Sequence, residues 1–383
     1  MDIWQLNLRH LNAAAQTARF GTISEAARAI HLTQPAVTQA LSRLETQLGL
    51  TLFERHPGGM RPTEAADLFL PRIAAALALV GSPRVTMSEM HAFIALADAG
   101  SYGGASLATG LSQPTLHRGV RDLSVALGRP LTERRGRGLA LTPQGRRLAR
   151  NFRLARAELE AGVAELDALK GRETARIVIG AMPLSRARIL PAAVALFLKQ
   201  WPEALIDIVE GSYAELVEPL RDGTLDILVG ALRDASAGDD LIREPLFEDR
   251  PVVIGRYDHP LAGRDTVNLT ELAEFPWIVP VGGTPLRAQW ERMFDTVGIE
   301  SPRVPVECGS VMMIRQILME SDMLTLLSVD QVLVELEAHW LARICDAPPD
   351  VMRTIGITHR SQWRPTARQR AFVDVMRSIV ESR

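Results

Sequence analysis

A chain of 383 residues with 47% hydrophobic and 23% charged residues has a globular composition and the length of two or three domains, which excludes a collagen-like, disordered or single-core protein. A membrane partner is excluded too, since the apolar run Phe69 to Val80 is short and broken by Arg72. The start Met1-Asp2-Ile3-Trp4 has no leader character and two cysteines make no disulfide framework, which points to the cytoplasm. The net charge of −2 hides a partition, +1 over residues 1–80, +8 over 81–157 and −11 over 158–383, as expected where one end meets a polyanion.

From the N-terminus the chain repeats itself. A shift of 79 superposes Gly21 on Gly100, Ala26 on Ala105, Gln34-Pro35 on Gln113-Pro114, Leu44 on Leu123, Gly49 on Gly128, Glu54-Arg55 on Glu133-Arg134 and Thr63 on Thr142. Two copies of a unit of about 75 residues are a duplicated small domain rather than a solenoid. In the first, Leu8 to Arg19 reads as a helix closed by Gly21, and Thr22 with Glu25 forms a capping box opening a helix over Ile23 to Ile30. A third helix is capped by Thr33, has Pro35 in its first turn, and turns Val37, Leu41, Leu44 and Leu48 to the core. The intervening face carries Gln34, Thr38, Gln39, Ser42 and Arg43, and Leu52 to Thr63 reads as a two-stranded wing bearing Arg55 and Arg61.

A short helix, a tight turn and a longer helix rich in amide, hydroxyl and guanidinium groups is a helix-turn-helix, whose second helix enters the major groove of double-stranded DNA. Gln pairs bidentately with adenine and Arg with guanine, while hydroxyls serve bases or backbone; taken singly, each residue also fits an ordinary solvated surface. Candidate DNA contacts in the first copy are Thr33, Gln34, Pro35, Ala36, Thr38, Gln39, Ser42, Arg43, Arg55 and Arg61.

The residues Gly21-Thr22, Ala26-Ala27, Thr33-Gln34-Pro35-Ala36-Val37, Leu44-Glu45, Leu48-Gly49 and Leu52-Phe53-Glu54-Arg55, followed by Arg61-Pro62-Thr63-Glu64-Ala65, resemble the LysR-type transcriptional regulators. The chain departs from that family's pattern in carrying the winged unit twice. The second copy, residues 84–144, replaces Arg43 by Asp122, Glu45 by Ser124 and Phe53 by Thr132. Its candidate contacts are Ser112, Gln113, Thr115, His117, Arg118 and Arg121 on the helix, with Arg134, Arg135 and Arg137 in the wing. Because phosphate contacts position a protein and base contacts specify, the first copy is expected to read sequence and the second to grip backbone, against the alternative of a degenerate scaffold with solvated arginines.

From residue 145 to 171 a long helix sets Leu148, Phe152, Ala155, Leu159, Val163 and Leu166 on a near-heptad seam. The resemblance implies a linker helix that dimerises through this stripe; packing on its own chain satisfies the periodicity equally. Residues 172–383 alternate apolar strands (Arg176 to Ala181, Leu205 to Val209, Leu225 to Val229, Val252 to Gly255, Trp277 to Pro280, Val304 to Cys308, Met323 to Leu327) with helices, an α/β pattern. The resemblance implies a two-lobed, periplasmic-binding-protein-like effector domain, lobe I over about 172–257 and 346–383 and lobe II over about 258–345. The fold class is thus mixed: two helical winged helix-turn-helix units, a linker helix and a two-lobed α/β domain.

Ligands of open α/β sheets bind beyond the carboxyl ends of strands, near helix N-termini. Those positions hold Pro183, Leu184, Ser185, Ser212, Tyr213 and Gly230 in one lobe and Thr284, Ser310 and Ser328 in the other; the hydroxyls read equally as helix N-caps. An organic acid, a sugar or an aromatic acid would suit them. No metal-ligand spacing, nucleophile elbow or phosphate loop occurs, so neither cofactor nor enzymatic activity is expected. The expectation is a DNA-binding regulator modulated by a small effector, self-assembled as dimer or tetramer, with RNA polymerase a compatible partner. The alternative is a two-lobed binding protein or enzyme whose N-terminal helices serve only oligomerisation.

Overall fold

A computed structural model describes residues 1–135, 138–172, 174–185, 187–235 and 240–382, with only the backbone of Arg135. Arg137 lies outside the described residues. After a 3₁₀ turn at Ile3–Gln5, the first head comprises α1 (Leu8–Phe20), α2 (Ile23–Ala29), α3 (Gln34–Leu48) and the wing β1 (Phe53–His56) with β2 (Gly59–Pro62), and it leads into α4 (Glu64–Val80). The second repeats it as α5 (Met87–Ala99), α6 (Tyr102–Thr109), α7 (Gln113–Leu127), β3 (Thr132–Arg135), β4 (Gly138–Leu141) and α8 (Pro143–Leu169). Of the predicted caps, Thr33 accepts from Ala36 N and Thr22 from Glu25 N, but Glu25 Oε2 takes the Thr22 hydroxyl instead of closing a full capping box; Thr142 adds a cap to α8 by accepting from Gly145 N. The first wing needs its glycine, since Gly59 has φ 130° and a Cβ there would stand 2.3 Å from Gly21 O.

The two heads share one hydrophobic core that runs from Ile3 to Leu166. Its spine is α4 packed on α8. Leu148, Phe152, Ala155, Leu159, Val163 and Leu166, expected as a dimer seam, are all buried within this single chain. The correction has a simple cause: the duplication supplies a second linker helix, and α4 turns the equivalent face, Phe69, Ile73, Ala76 and Val80, inward. The helices run antiparallel. Phe69, early in α4, lies against Gly162, late in α8, and Lys170 just past α8 reaches back to donate to Leu48 O of the first head.

The remaining chain builds two five-stranded mixed sheets. The first, β6 (Leu205–Glu210), β5 (Arg176–Ala181), β7 (Ile227–Ala231), β14 (Arg353–Arg360) and β8 (Leu241–Asp249) in spatial order, is flanked by α9 (Ile189–Gln200), α10 (Tyr213–Arg221) and α15 (Ala367–Glu381). The second, β11 (Val306–Glu307), β10 (Trp277–Val279), β12 (Leu324–Ser328), β9 (Pro251–Arg256) and β13 (Leu341–Asp346), carries α11 (Leu269–Ala273), α12 (Pro285–Asp295), α13 (Val311–Met319) and α14 (Leu333–Glu337). Central strands are parallel, but β14 runs antiparallel to β7 and β8, and β9 to β12 and β13. The crossover falls at Arg250 rather than near residue 258. Strand β9, expected in lobe I, belongs to the second sheet because its pairing partners β12 and β13 do.

Candidate nucleic-acid interface and effector cleft

In the first head α3 divides cleanly. Val37, Ala40, Leu41, Leu44 and Leu48 are buried while Thr38, Gln39, Ser42 and Arg43 are exposed. Thr33 is spent as N-cap, and Gln34 Nε2 donates to Ser24 Oγ at 2.7 Å, which clamps α3 to α2. Pro35 is exposed and Ala36 half-buried on the first turn; Arg55 and Arg61 are exposed on the wing. A role that sequence reasoning left unassigned belongs to Glu45, whose Oε1 accepts from Leu52 N at 2.7 Å and Phe53 N at 3.1 Å. A buried-side carboxylate thus ties the recognition helix to the wing, and charge-assisted bonds of this kind are roughly twice as strong as neutral ones.

The second head keeps the frame and loses these ties. Ser124 stands at the Glu45 position and its hydroxyl turns back to donate to Val120 O of its own helix; Gly103 replaces Ser24, so the Gln34 clamp has no counterpart at Gln113. Ser112 caps α7 and its hydroxyl meets that of Thr115 at 2.8 Å. His117 stacks on Tyr102 with centroids 4.1 Å apart, Arg118 is exposed, and Arg121 pairs with Asp122 at 3.3 Å. Arg134 is exposed on β3.

Part of the +8 charge faces inward rather than toward a polyanion. Arg150 pairs with Asp240, and Arg153 with Asp222 at 3.2 Å, both in the first lobe; Arg156 lies 3.9 Å from Glu160. Arg72 Nη1 donates to Arg364 O at 2.6 Å, and Arg364 Nη1 to Pro71 O at 2.9 Å. The helix pair is therefore also the seat of the effector domain.

At the strand ends the predicted hydroxyls are engaged in the fold. Ser185 is buried and donates to Met182 O at 2.8 Å; Ser212 makes a capping box with Glu215; Thr284 and Ser310 cap α12 and α13; Ser328 is buried at the end of β12. Pro183 is half-buried and Leu184 buried. Gly230 holds φ 154° beside Met182, whose Cε lies 2.5 Å from where a Cβ would stand. Arg233 sits 5.2 Å over the Tyr213 ring. Two residues absent from the sequence-based set span the lobes: Arg188 Nη1, at the start of α9, lies 3.6 Å from Asp330 Oδ1, two residues beyond Ser328. This pair sets the start of α9, just after the Ser185 loop of the first lobe, against the turn after Ser328 of the second; no periodicity or spacing marks it in the sequence.

Two winged helix-turn-helix heads seated on a helix pair and joined to a two-lobed α/β domain define the class of DNA-binding regulators that answer to a small ligand. The chain belongs to the LysR family of transcriptional regulators. Residues 170–380 match the LysR substrate binding domain, and residues 8–67 and 87–146 each match the bacterial regulatory helix-turn-helix of the lysR family. It is 31% identical over 393 residues to the HTH-type transcriptional regulator GalR of Pseudomonas putida, with 99% of each chain covered. It is 30% identical to the SDS degradation transcriptional activation protein of a Pseudomonas species, over 68% of this chain and 85% of that one. The fold matches a full-length OxyR variant from Pseudomonas aeruginosa (22% identity, 77% and 94% covered, TM-score 0.56) and CbnR, a LysR family transcriptional regulator (20%, 76% and 97%, 0.53). These relatives are regulators, not enzymes. Among the described residues no helix is long and apolar enough to cross a membrane, and no group of three or more candidate metal ligands occurs.

Proposed function

We propose that this regulator reads its operator in the cytoplasm with α3 of the first head and holds the DNA backbone with the second. The observation that carries the reading is the contrast between the heads. Thr38, Gln39, Ser42 and Arg43 form an exposed, hydrogen-bonding face on a helix fixed by Glu45 and Gln34, whereas α7 presents His117, Arg118 and Arg121 on a helix without those ties. Base-edge contacts carry the sequence information, whereas phosphate contacts position the protein on the duplex without it. The effector, a small organic acid, sugar or aromatic acid, enters between the Ser185 loop and the Ser328 turn, and its differential affinity for open and closed lobes shifts the DNA-binding equilibrium.

Salt titration of operator affinity separates the two roles. Arg118→Ala with Arg134→Ala removes two phosphate contacts and flattens the log–log salt slope by about 1.8 without changing base preference. Gln39→Ala or Arg43→Ala relaxes preference at single positions and costs about 1–3 kcal/mol. An unchanged slope in the first variant would remove the backbone role of the second head. For the effector, a thermal-shift screen of carboxylates and sugars is expected to yield a stabilising ligand that Gly230→Ala abolishes.

A further inference from the structure

The helix that the family resemblance assigns to pairing between chains is already paired inside this one. α4 and α8 are repeat equivalents, and they pack antiparallel through equivalent positions: Phe69 and Leu148, Ile73 and Phe152, Ala76 and Ala155, each pair 79 residues apart, are buried in both helices. Two copies of one unit that join through the same face of an antiparallel helix pair are related by an approximate two-fold axis, the geometry of an isologous contact. The junction is a permanent one. Both heads lie in a single continuous core, Trp4 of the first stacks on His91 of the second at 4.2 Å, and the buried Arg72 guanidinium bonds two glutamates of α8.

We propose that a single chain is a complete two-headed DNA clamp, in which α3 and α7 engage two segments of the same duplex and the half-sites are unlike. This rests on the reading that α3 specifies sequence. Helix-turn-helix dimers place two identical readers across a two-fold, so that operator symmetry mirrors protein symmetry. Here the two-fold relates unlike readers. Thr38, Gln39, Ser42 and Arg43 of α3 face His117, Arg118, Arg121 and Asp122 at the same places of α7, and the operator of one chain is therefore asymmetric: a specified block and, at fixed distance on one side, a stretch held by its backbone. Since the linker faces are consumed within the chain, two first heads from different chains cannot meet across α4.

The test uses the full chain with Cys308→Ser and Cys345→Ser, a duplex enriched from a random library, and an iron-chelate cleavage reagent on a single introduced cysteine. Thr46→Cys on α3 and Val125→Cys on α7 are repeat equivalents, both exposed and one turn C-terminal to the proposed contact residues on the same helix face. With DNA in excess, the Thr46 label is expected to cut one cluster beside the enriched block and the Val125 label a second, separate cluster on one side only. Two symmetric clusters from the Thr46 label about an inverted repeat, or no cut from the Val125 label, would overturn the clamp while leaving operator reading intact. Failure of the chain to enrich any sequence would overturn the reading by α3, and the clamp's asymmetric operator with it.

Discussion

Arg72 of α4 donates Nη2 to Glu165 Oε1 of α8 at 2.9 Å and Nε to Oε2 of the same carboxylate at 3.2 Å, a two-point grip across 93 residues of chain. The guanidinium side chain is 6% exposed, and its Nη1 is shared between Glu158 and the carbonyl of Arg364. One side chain therefore joins both linker helices and the effector domain. Removing a single partner of a buried pair leaves an uncompensated charge at a cost of about 3–5 kcal/mol. Arg72→Met is expected to lower the unfolding free energy obtained from urea titration by that order. The double variant Arg72→Met, Glu165→Gln should recover part of the loss, because the stranded carboxylate goes with the arginine.

Gly162 offers a second test of the helix pair. A Cβ there would stand 2.5 Å from Phe69 Cδ2 and 3.3 Å from Arg72 Cβ, and Phe69 is fully buried. Overpacking of this kind costs about 1–3 kcal/mol. Gly162→Val should lower the melting temperature of the whole N-terminal unit, both heads together, since they share one core. Separate transitions for the two heads in calorimetry would contradict that shared core.

Much of this is legible in the sequence because it is local. The caps at Thr22 and Thr33, the apolar faces of α3 and α8, and the wing follow from spacing alone, and the 79-residue shift exposes the duplication. The destination of an apolar stripe is not local: the period of Leu148, Phe152, Ala155 and Leu159 demands a partner without saying which. Strands β8, β13 and β14 carry no such signal. β8 has buried ends with pairs of half-buried residues between single exposed ones, and contains Pro245 at a register shift, so it shows neither the apolar run of a parallel strand nor a clean alternation. Charge is similarly ambiguous, as Arg150 and Arg153 can be counted but their partners Asp240 and Asp222 cannot be assigned from sequence. The cleft pair Arg188 and Asp330 is a product of lobe packing and has no sequence signature.

Cys345, on β13, is a poor oxidant target. Burial pushes its thiol up to about 11, with Asp346 adding to the rise and Arg343 opposing it. Thiolate is the reactive form. In a Cys308→Ser chain, alkylation by iodoacetamide should therefore climb about tenfold per pH unit from pH 7 to 9.5 without levelling. A slope that falls clearly below tenfold per unit between about pH 8.5 and 9.5 would show an ordinary thiol instead.

Asp226 makes stability depend on pH in the direction opposite to most carboxylates. Its Oδ2 accepts from Val178 N at 2.8 Å where β7 begins, and burial pushes the carboxyl up to about 6, against the pull of the Val178 bond, the Arg360 charge and Gln369. An unfolded aspartate titrates near 3.9, so the folded chain holds this proton more tightly. The resulting stabilisation is fully present below about pH 4 and is lost as pH rises through about 6, by up to about 3 kcal/mol. Asp226→Asn keeps an acceptor for Val178 and cannot ionise. Urea midpoints of the two proteins between pH 4 and 7.5 should diverge, with the variant gaining on the wild type as pH rises. Parallel curves would mean that Arg360 holds the carboxylate ionised throughout, with Asp226 still accepting from Val178 N to fix the start of β7 to its neighbour β5.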